Sequence, residues 1–280
     1  IFNFWSIVIF IVIIDSFVET IFGKNILGYG DDIYKNRIVS FFKDEPIVGA
    51  YILGFAFICI GYYFDKLFNK NVTSKILLLL IIFSIISCIV LTGERANGIK
   101  AILGLLLFTF MNRNLDFKIK FSLTAITIFI LYFIISNSWY LKVRYGQQLF
   151  SQLFDKNLRS SFLENSLYLK LYKSGYAVFI DYPIFGVGNK NYRVITTQNL
   201  ETKQNADYML ATHPHQIYFE LLAEHGLIGS IIILSIFFTL IFKNLKVIIL
   251  SRNSIQLGCF IYLILQFLPL LPTGSFFNDF

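Results

Sequence analysis

The sequence predicts an all-α, multi-pass transmembrane helical bundle with one long external loop that contains helices of its own. Three observations carry this. Hydrophobic residues make up 56% of the 280 and charged residues only 15%, with a mean hydropathy of +0.67; soluble domains are ~25% charged. The apolar residues arrive in blocks long enough to cross hydrocarbon, which takes about 17–25 residues of helix. Lysine and arginine gather in alternate short loops between those blocks, as they do where charge sets the orientation of spans.

Six blocks read as helices, over residues 1–17, 47–64, 76–91, 99–111, 121–136 and 227–242, with a seventh near 255–271. The block from Ile99 is short, and recruits flanking residues or enters tilted. Lys66, Lys70 and Lys75 lie between the second and third spans, Arg113, Lys118 and Lys120 after the fourth, and Lys243, Lys246 and Arg252 after the sixth. All three clusters fall on one face when the spans alternate, which makes that face cytoplasmic. The external face then receives residues 23–46, the 93–98 turn, the long segment 137–213 and residues 272–280. Three regions follow: helices with short loops over 1–136, the external loop 137–213, and a histidine-bearing helix with the last spans over 214–280.

The formal charge of +7 sits mostly in the loops between spans, so nucleic acid is not the expected partner. Cys59, Cys88 and Cys259 all fall inside apolar blocks without metal or disulfide spacing, and read as small core hydrophobes. The first block lacks the basic start and small-residue cleavage site of a signal peptide. A chain starting at Ile1 and ending in an incomplete segment reads as a fragment of a longer protein.

The loop 137–213 is too long for a connector and carries nine Lys/Arg against five Asp/Glu. Residues 163–180 have helical apolar spacing through Tyr168, Leu171, Tyr172 and Val178, suited to the membrane surface. Asp181-Tyr182-Pro183 breaks that helix, and residues 185–193 read as turn and loop.

The run Thr212-His213-Pro214-His215-Gln216 packs two of the three histidines into a polar lip before a long apolar helix. Pro214 suits the first turn of that helix. His215 at the external water boundary suits proton transfer to a water-exposed substrate; the plainer reading is a pair of solvated or capping residues. A metal reading would use His213, His215 and Glu220 but lacks a further convergent ligand, and His225 reads as structural. Arg95, in Gly93-Glu94-Arg95-Ala96-Asn97-Gly98, has two readings: an ion pair with Glu94, or a phosphate clamp with Gly93 and Gly98 admitting a headgroup to the backbone. Gly186-x-Gly188 lacks the third glycine and the βαβ setting of a nucleotide site. Scattered carboxylates do not support a divalent-metal glycosyltransferase site.

These residues together resemble the O-antigen ligase and polymerase family of bacterial inner-membrane proteins. Ligases of that family share a histidine followed by Asn, Ser or Gln, nine residues, and Gly-x-x-Gly; here these are His215-Gln216, Ile217 through His225, and Gly226-Leu227-Ile228-Gly229. Gly93-Glu94-Arg95 is similar to the family's Gly/Ser-Arg element, with Glu94 where a small residue is commoner. Pro183-Ile184-Phe185-Gly186-Val187-Gly188 is similar to its Pro-x-x-Gly-x-Gly turn, and Pro272-Thr273-Gly274-Ser275-Phe276-Phe277 to a segment after its penultimate spans. Many members carry an arginine about fifteen residues before the loop proline; Tyr168 holds that place here, with Lys170 and Arg159 nearby.

The resemblance implies a lipid-carrier glycosyltransferase working on the periplasmic face of the inner membrane without metal or cofactor. It implies a glycan on undecaprenyl diphosphate as donor, and as acceptor a sugar hydroxyl of lipid A–core or of another glycan. His215 would be the general base, with His213 as substitute. Arg95, Arg193 and either Lys170 or Arg159 would supply positive charge to the diphosphate. Membrane lipids are further partners, and nucleic acid is not one. Two rivals from other classes are a solute transporter, which should show internal repeats or midplane charges, and an assembly subunit, in which the external histidine and cations are dispensable.

Overall fold

The computed structural model describes residues 1–30, 37–43, 45–151, 154, 166–202 and 205–276. Among them every regular element is helical: α1 (Phe2–Phe22), α2 (Val48–Leu67), α3 (Val72–Leu91), α4 (Arg95–Met111), α5 (Phe117–Asn137), α6 (Trp139–Leu141) running into a π-helical stretch (Lys142–Ser151), α7 (Leu167–Asp181), α8 (Tyr192–Thr202), α9 (Ile217–Ser251) and α10 (Ser254–Gln266), with a 3₁₀ turn at Ser40–Phe42. Helices α1, α2, α3, α5 and α9 are long and apolar enough to cross a membrane, and the protein is a multi-pass membrane protein. The fourth expected span is a 17-residue helix that starts earlier than its apolar block, at Arg95. The seventh stops at Gln266 after 13 residues, because Pro269 removes a donor and disfavours helix before it. The sixth instead runs on to Ser251: no proline or glycine lies between Gly229 and Ser251 to break it, so Lys243 and Lys246 lie on the helix.

The chain divides into two compact units, residues 1–151 with 245–265 and residues 152–244 with 266–280. In the first, α1 to α4 pack around Ile52, Phe57, Ile60, Ile85, Ile89 and Ala101, all buried. Helix α10 crosses α2 with Gly258 against the Phe57 carbonyl, where any side chain would collide. Asp65 of α2 caps α10, accepting from the Ser254 N–H at 3.0 Å. Asp15 and Glu19 of α1 are buried, a costly state for a carboxylate without donors. Asp15 accepts from the Ile26 N–H (2.9 Å), the Asn25 amide (3.2 Å) and the Ser40 hydroxyl; Glu19 accepts from the Val39 and Ser40 N–H groups at 3.0 and 2.6 Å. These carboxylates pin the loop after α1.

In the second unit, Val178 of α7, Tyr192 of α8 and Ala223 of α9 form a buried cluster that Val187, Tyr208 and Ala211 enlarge. The loop expected over 185–193 ends in helix α8, because Tyr192 turns wholly inward and its hydroxyl meets the Ser174 hydroxyl at 2.7 Å. Helix α9 is broken at Gly226, whose φ of 62° and ψ of −166° are not helical. The break frees the Leu227 and Ile228 N–H groups from their i−4 partners, and they donate to the Pro183 and Ile184 carbonyls at 2.8 and 3.3 Å. The abandoned Ala223 and Glu224 carbonyls accept from the Val187 and Gly188 N–H groups at 3.0 and 2.8 Å. All four groups are thus satisfied across the join, as buried backbone requires. The two glycine motifs are the two halves of one backbone splice: a side chain on Gly186 would strike the Glu224 backbone, and one on Gly226 the Ile184 carbonyl.

Candidate functional site

The splice fixes the first half of α9, and the histidine pair lies just before it. Helix α9 begins at Ile217, so Pro214 stands ahead of the helix rather than in its first turn. Gln216 is the reason. Its side-chain oxygen accepts from the Tyr218 and Phe219 N–H groups at 2.8 and 3.3 Å, two donors that the helix itself leaves unpaired. The residue after the motif histidine is therefore a helix cap. His215 itself has a left-handed backbone, φ 57°, a conformation that costs energy for any residue with a Cβ and that collects at functional sites.

The rings of His213 and His215 lie 4.0 Å apart between centroids, and Tyr168 of α7 presents its ring edge-on to His215 at 6.0 Å. His213 is buried and bonds the Thr212 hydroxyl through Nδ1 at 3.0 Å; His215 is more open. Burial lowers the pKa of both, and His215 beside it helps push His213 down to about 4, while the Thr273 backbone pulls both the other way. Both imidazoles are neutral near pH 7, so either is a proton acceptor, and His215 is the accessible one.

The segment after α10 holds this pair in place. The Thr273 N–H donates to the His215 carbonyl at 2.9 Å. One turn along α9, the buried Glu220 accepts from the Ser275 hydroxyl and, at 2.9 Å, from the Phe276 N–H. The metal reading loses Glu220 to this strap, and among the described residues no three His, Cys, Asp or Glu converge. Thr273, Ser275 and Glu220 carry the histidine's geometry; a small polar run directly after an apolar block was their signal in the sequence.

Arg95 belongs to the first unit, where it opens α4. Glu94 directs its carboxylate to the start of α2, accepting from the Gly49 and Ala50 N–H groups at 2.6 and 3.1 Å and from the Asn97 amide at 2.6 Å. Burial pushes its pKa up, against those hydrogen bonds. Arg95 donates to the Gln148 carbonyl at 2.7 Å. Arg144, from the π-helical stretch, grips the Gly93 carbonyl through Nε and Nη2 at 3.1 and 2.9 Å and the Gln148 side chain at 3.0 Å. Two guanidiniums thus share Gln148 beside a helix N-terminus, an arrangement that favours an anion. Gly93 and Gly98 do not open the backbone to a headgroup, because the Tyr140 and Tyr145 rings fill the space over them. Arg144 escaped sequence reasoning: among nine loop cations, only the return of the chain onto the Gly93 turn singles it out.

Of the remaining candidates, Lys170 on α7 and Arg193 in the first turn of α8 are exposed in the second unit with the histidines, and Arg159 lies outside the described residues. A search of curated proteins and one of solved structures find no match to the chain. A protein-family model described as O-antigen ligase matches residues 78–234, from α3 through the histidine pair to beyond the splice. That match takes in Arg95, Arg144, both paired histidines and both glycine motifs, over more than half of the sequence: the chain belongs to the O-antigen ligase family.

Proposed function

We propose that this protein transfers a glycan from undecaprenyl diphosphate to a sugar hydroxyl of lipid A–core, at the periplasmic face of the inner membrane. The observation that carries the reading is His215: an accessible imidazole, neutral at pH 7, held in a strained backbone by Thr273 within the family's matched segment. As the acceptor oxygen attacks the anomeric carbon of the donor sugar, His215 takes its proton. The bond from that carbon to the diphosphate breaks, and the electron pair leaves on the diphosphate. The leaving group is already weakly basic, so fixed positive charge serves it without a metal. Arg95 and Arg144 supply that charge, and Lys170 or Arg193 of the loop adds to it.

The closest competitor is polymerisation on the same donor, in which the acceptor is another carrier-linked glycan. Complementation separates the two: expression in a host lacking its ligase is expected to restore capped lipopolysaccharide, and expression in a host lacking its polymerase is expected to leave glycans one repeat long. Restored chain length in the second host with none in the first would establish polymerisation, and restoration in neither would remove the enzymatic reading.

Arg95→Ala is expected to lower kcat/KM for the donor by roughly 10- to 100-fold, the worth of one hydrogen bond to a charged group. Arg95→Lys should recover part of it, since lysine keeps the charge and loses the fork. Transfer rates against donor concentration in proteoliposomes give the comparison. An unchanged kcat/KM for Arg95→Ala, in protein that inserts normally, would remove Arg95 from the mechanism.

A further inference from the structure

We infer that residues 182–185, with the adjoining end of α7, form a lipid anchor that sits in the hydrocarbon edge of the external leaflet. Ile180, Ile184 and Phe185 are 54%, 56% and 73% exposed, an apolar cluster where α7 gives way to the turn, while Val178 just before them is buried. The depth of that cluster is set by the splice. Hydrogen bonds from the Leu227 and Ile228 N–H groups to the Pro183 and Ile184 carbonyls lay the turn directly against the first residues of the apolar run of α9. Leu227, Ile228, Ile231 and Ile232 are themselves exposed on that helix, which is long and apolar enough to span, so their surroundings are lipid. A backbone held at hydrogen-bond distance from theirs lies at the same level.

The chemistry along α7 agrees with a membrane boundary. Lys173, Tyr176 and Ile180 are exposed at i, i+3 and i+7, on one face of the helix. Along this face the side chains change from ammonium to phenol to hydrocarbon as the chain approaches Ile184 and Phe185. Such an order matches water, headgroup and acyl chain in turn, with tyrosine at the interface. A second copy of the chain or a glycan would have no need of that order. The anchor has a consequence for the histidine: the turn continues into Val187 and Gly188, whose N–H groups hold the carbonyls before the α9 break. The leaflet thereby fixes the height of the helix that Gln216 caps.

The test is a depth measurement. Ile184→Cys and Phe185→Cys are made with Cys59, Cys88 and Cys259 replaced by alanine, spin-labelled, and reconstituted in vesicles of phosphatidylethanolamine and phosphatidylglycerol. Ile232→Cys serves as the lipid-facing reference and Asn189→Cys, an exposed polar position beyond the turn, as the aqueous one. Collisions with oxygen are expected to exceed those with a water-soluble nickel chelate at 184 and 185, as at 232. Accessibility like that of 189 would overturn the anchor, and so would spin–spin broadening, which would mean a second copy covers the patch. Should the cysteine-free protein fail to insert, Phe185→Trp in the otherwise native chain gives the same answer. Bromine-labelled lipid then quenches the added fluorescence, or leaves it unchanged and refutes the proposal.

Discussion

Replacing His215 by alanine is expected to lower glycan transfer by about 10²–10⁴-fold, the contribution of a positioned general base, while the protein still inserts and accumulates. The side chain is not a core element: it is half exposed, and the strap from Thr273 reaches its backbone carbonyl, which alanine retains. Its removal takes away the proton acceptor without opening a cavity in the buried clusters around Val178 and Leu221. Among the described residues, the groups that face its ring are Tyr168 from α7, His213 on its own segment and the Thr273 backbone from the strap. None of these is a carboxylate that would hold the imidazole protonated.

The pH dependence follows with a definite sign. Burial lowers the pKa of His215 from its usual ~6.5, so the neutral, basic form prevails at and above neutral pH. Transfer is expected to be level from pH 7 upward and to fall on acidification through a value below 6.5. His213→Gln should leave that acid limb in place, because burial, not its neighbour, dominates the shift of His215. An acid limb that persists in His215→Ala and vanishes in His213→Gln would assign the base to His213 instead. Acidification also weakens the fold locally. His213 takes its proton near 6.5 in the unfolded chain but only near 4 when folded, so stability is lost as pH falls between those values. Rates that recover on return to pH 7 distinguish titration of the base from unfolding.

Gly226→Ala is expected to damage the fold rather than the chemistry. At φ 62° and ψ −166° the residue occupies a region essentially confined to glycine, and holding an alanine there costs roughly 1–3 kcal/mol before any contact is counted. The new Cβ would also strike the Ile184 carbonyl, which accepts the Ile228 N–H. Relief of that clash breaks splice bonds at about 1–3 kcal/mol for each buried group left unpaired. The variant should accumulate poorly and melt several degrees lower in detergent, by a margin that Gly54→Ala does not show. Gly54 sits in α2 with only the Tyr262 hydroxyl, at 3.8 Å, near its missing side chain. Equal melting of the two variants would mean that the splice is dispensable.

Some of this architecture is legible in the residues alone. A helix that crosses hydrocarbon must be long and apolar, so the blocks now seen as α1, α2, α3, α5 and α9 announce themselves. The histidine, its glutamine and the two glycine motifs mark the family. The roles of the motif residues were not legible. Gln216 caps a helix, Gly186 and Gly226 let two backbones exchange hydrogen bonds, and Thr273 reaches back across more than fifty residues to His215. Arg144 stands out only because it folds onto the Gly93 carbonyl.

The division has a physical cause. Burial in lipid is decided residue by residue, and composition and spacing record it directly along the chain. A cap, a splice or a strap depends on which unpaired N–H meets which carbonyl after distant segments pack, and hydrogen bonding to the backbone leaves no periodic trace in the side chains. The sequence by itself determined that this chain crosses a membrane and where its paired histidines lie; only the tertiary structure decided what holds them.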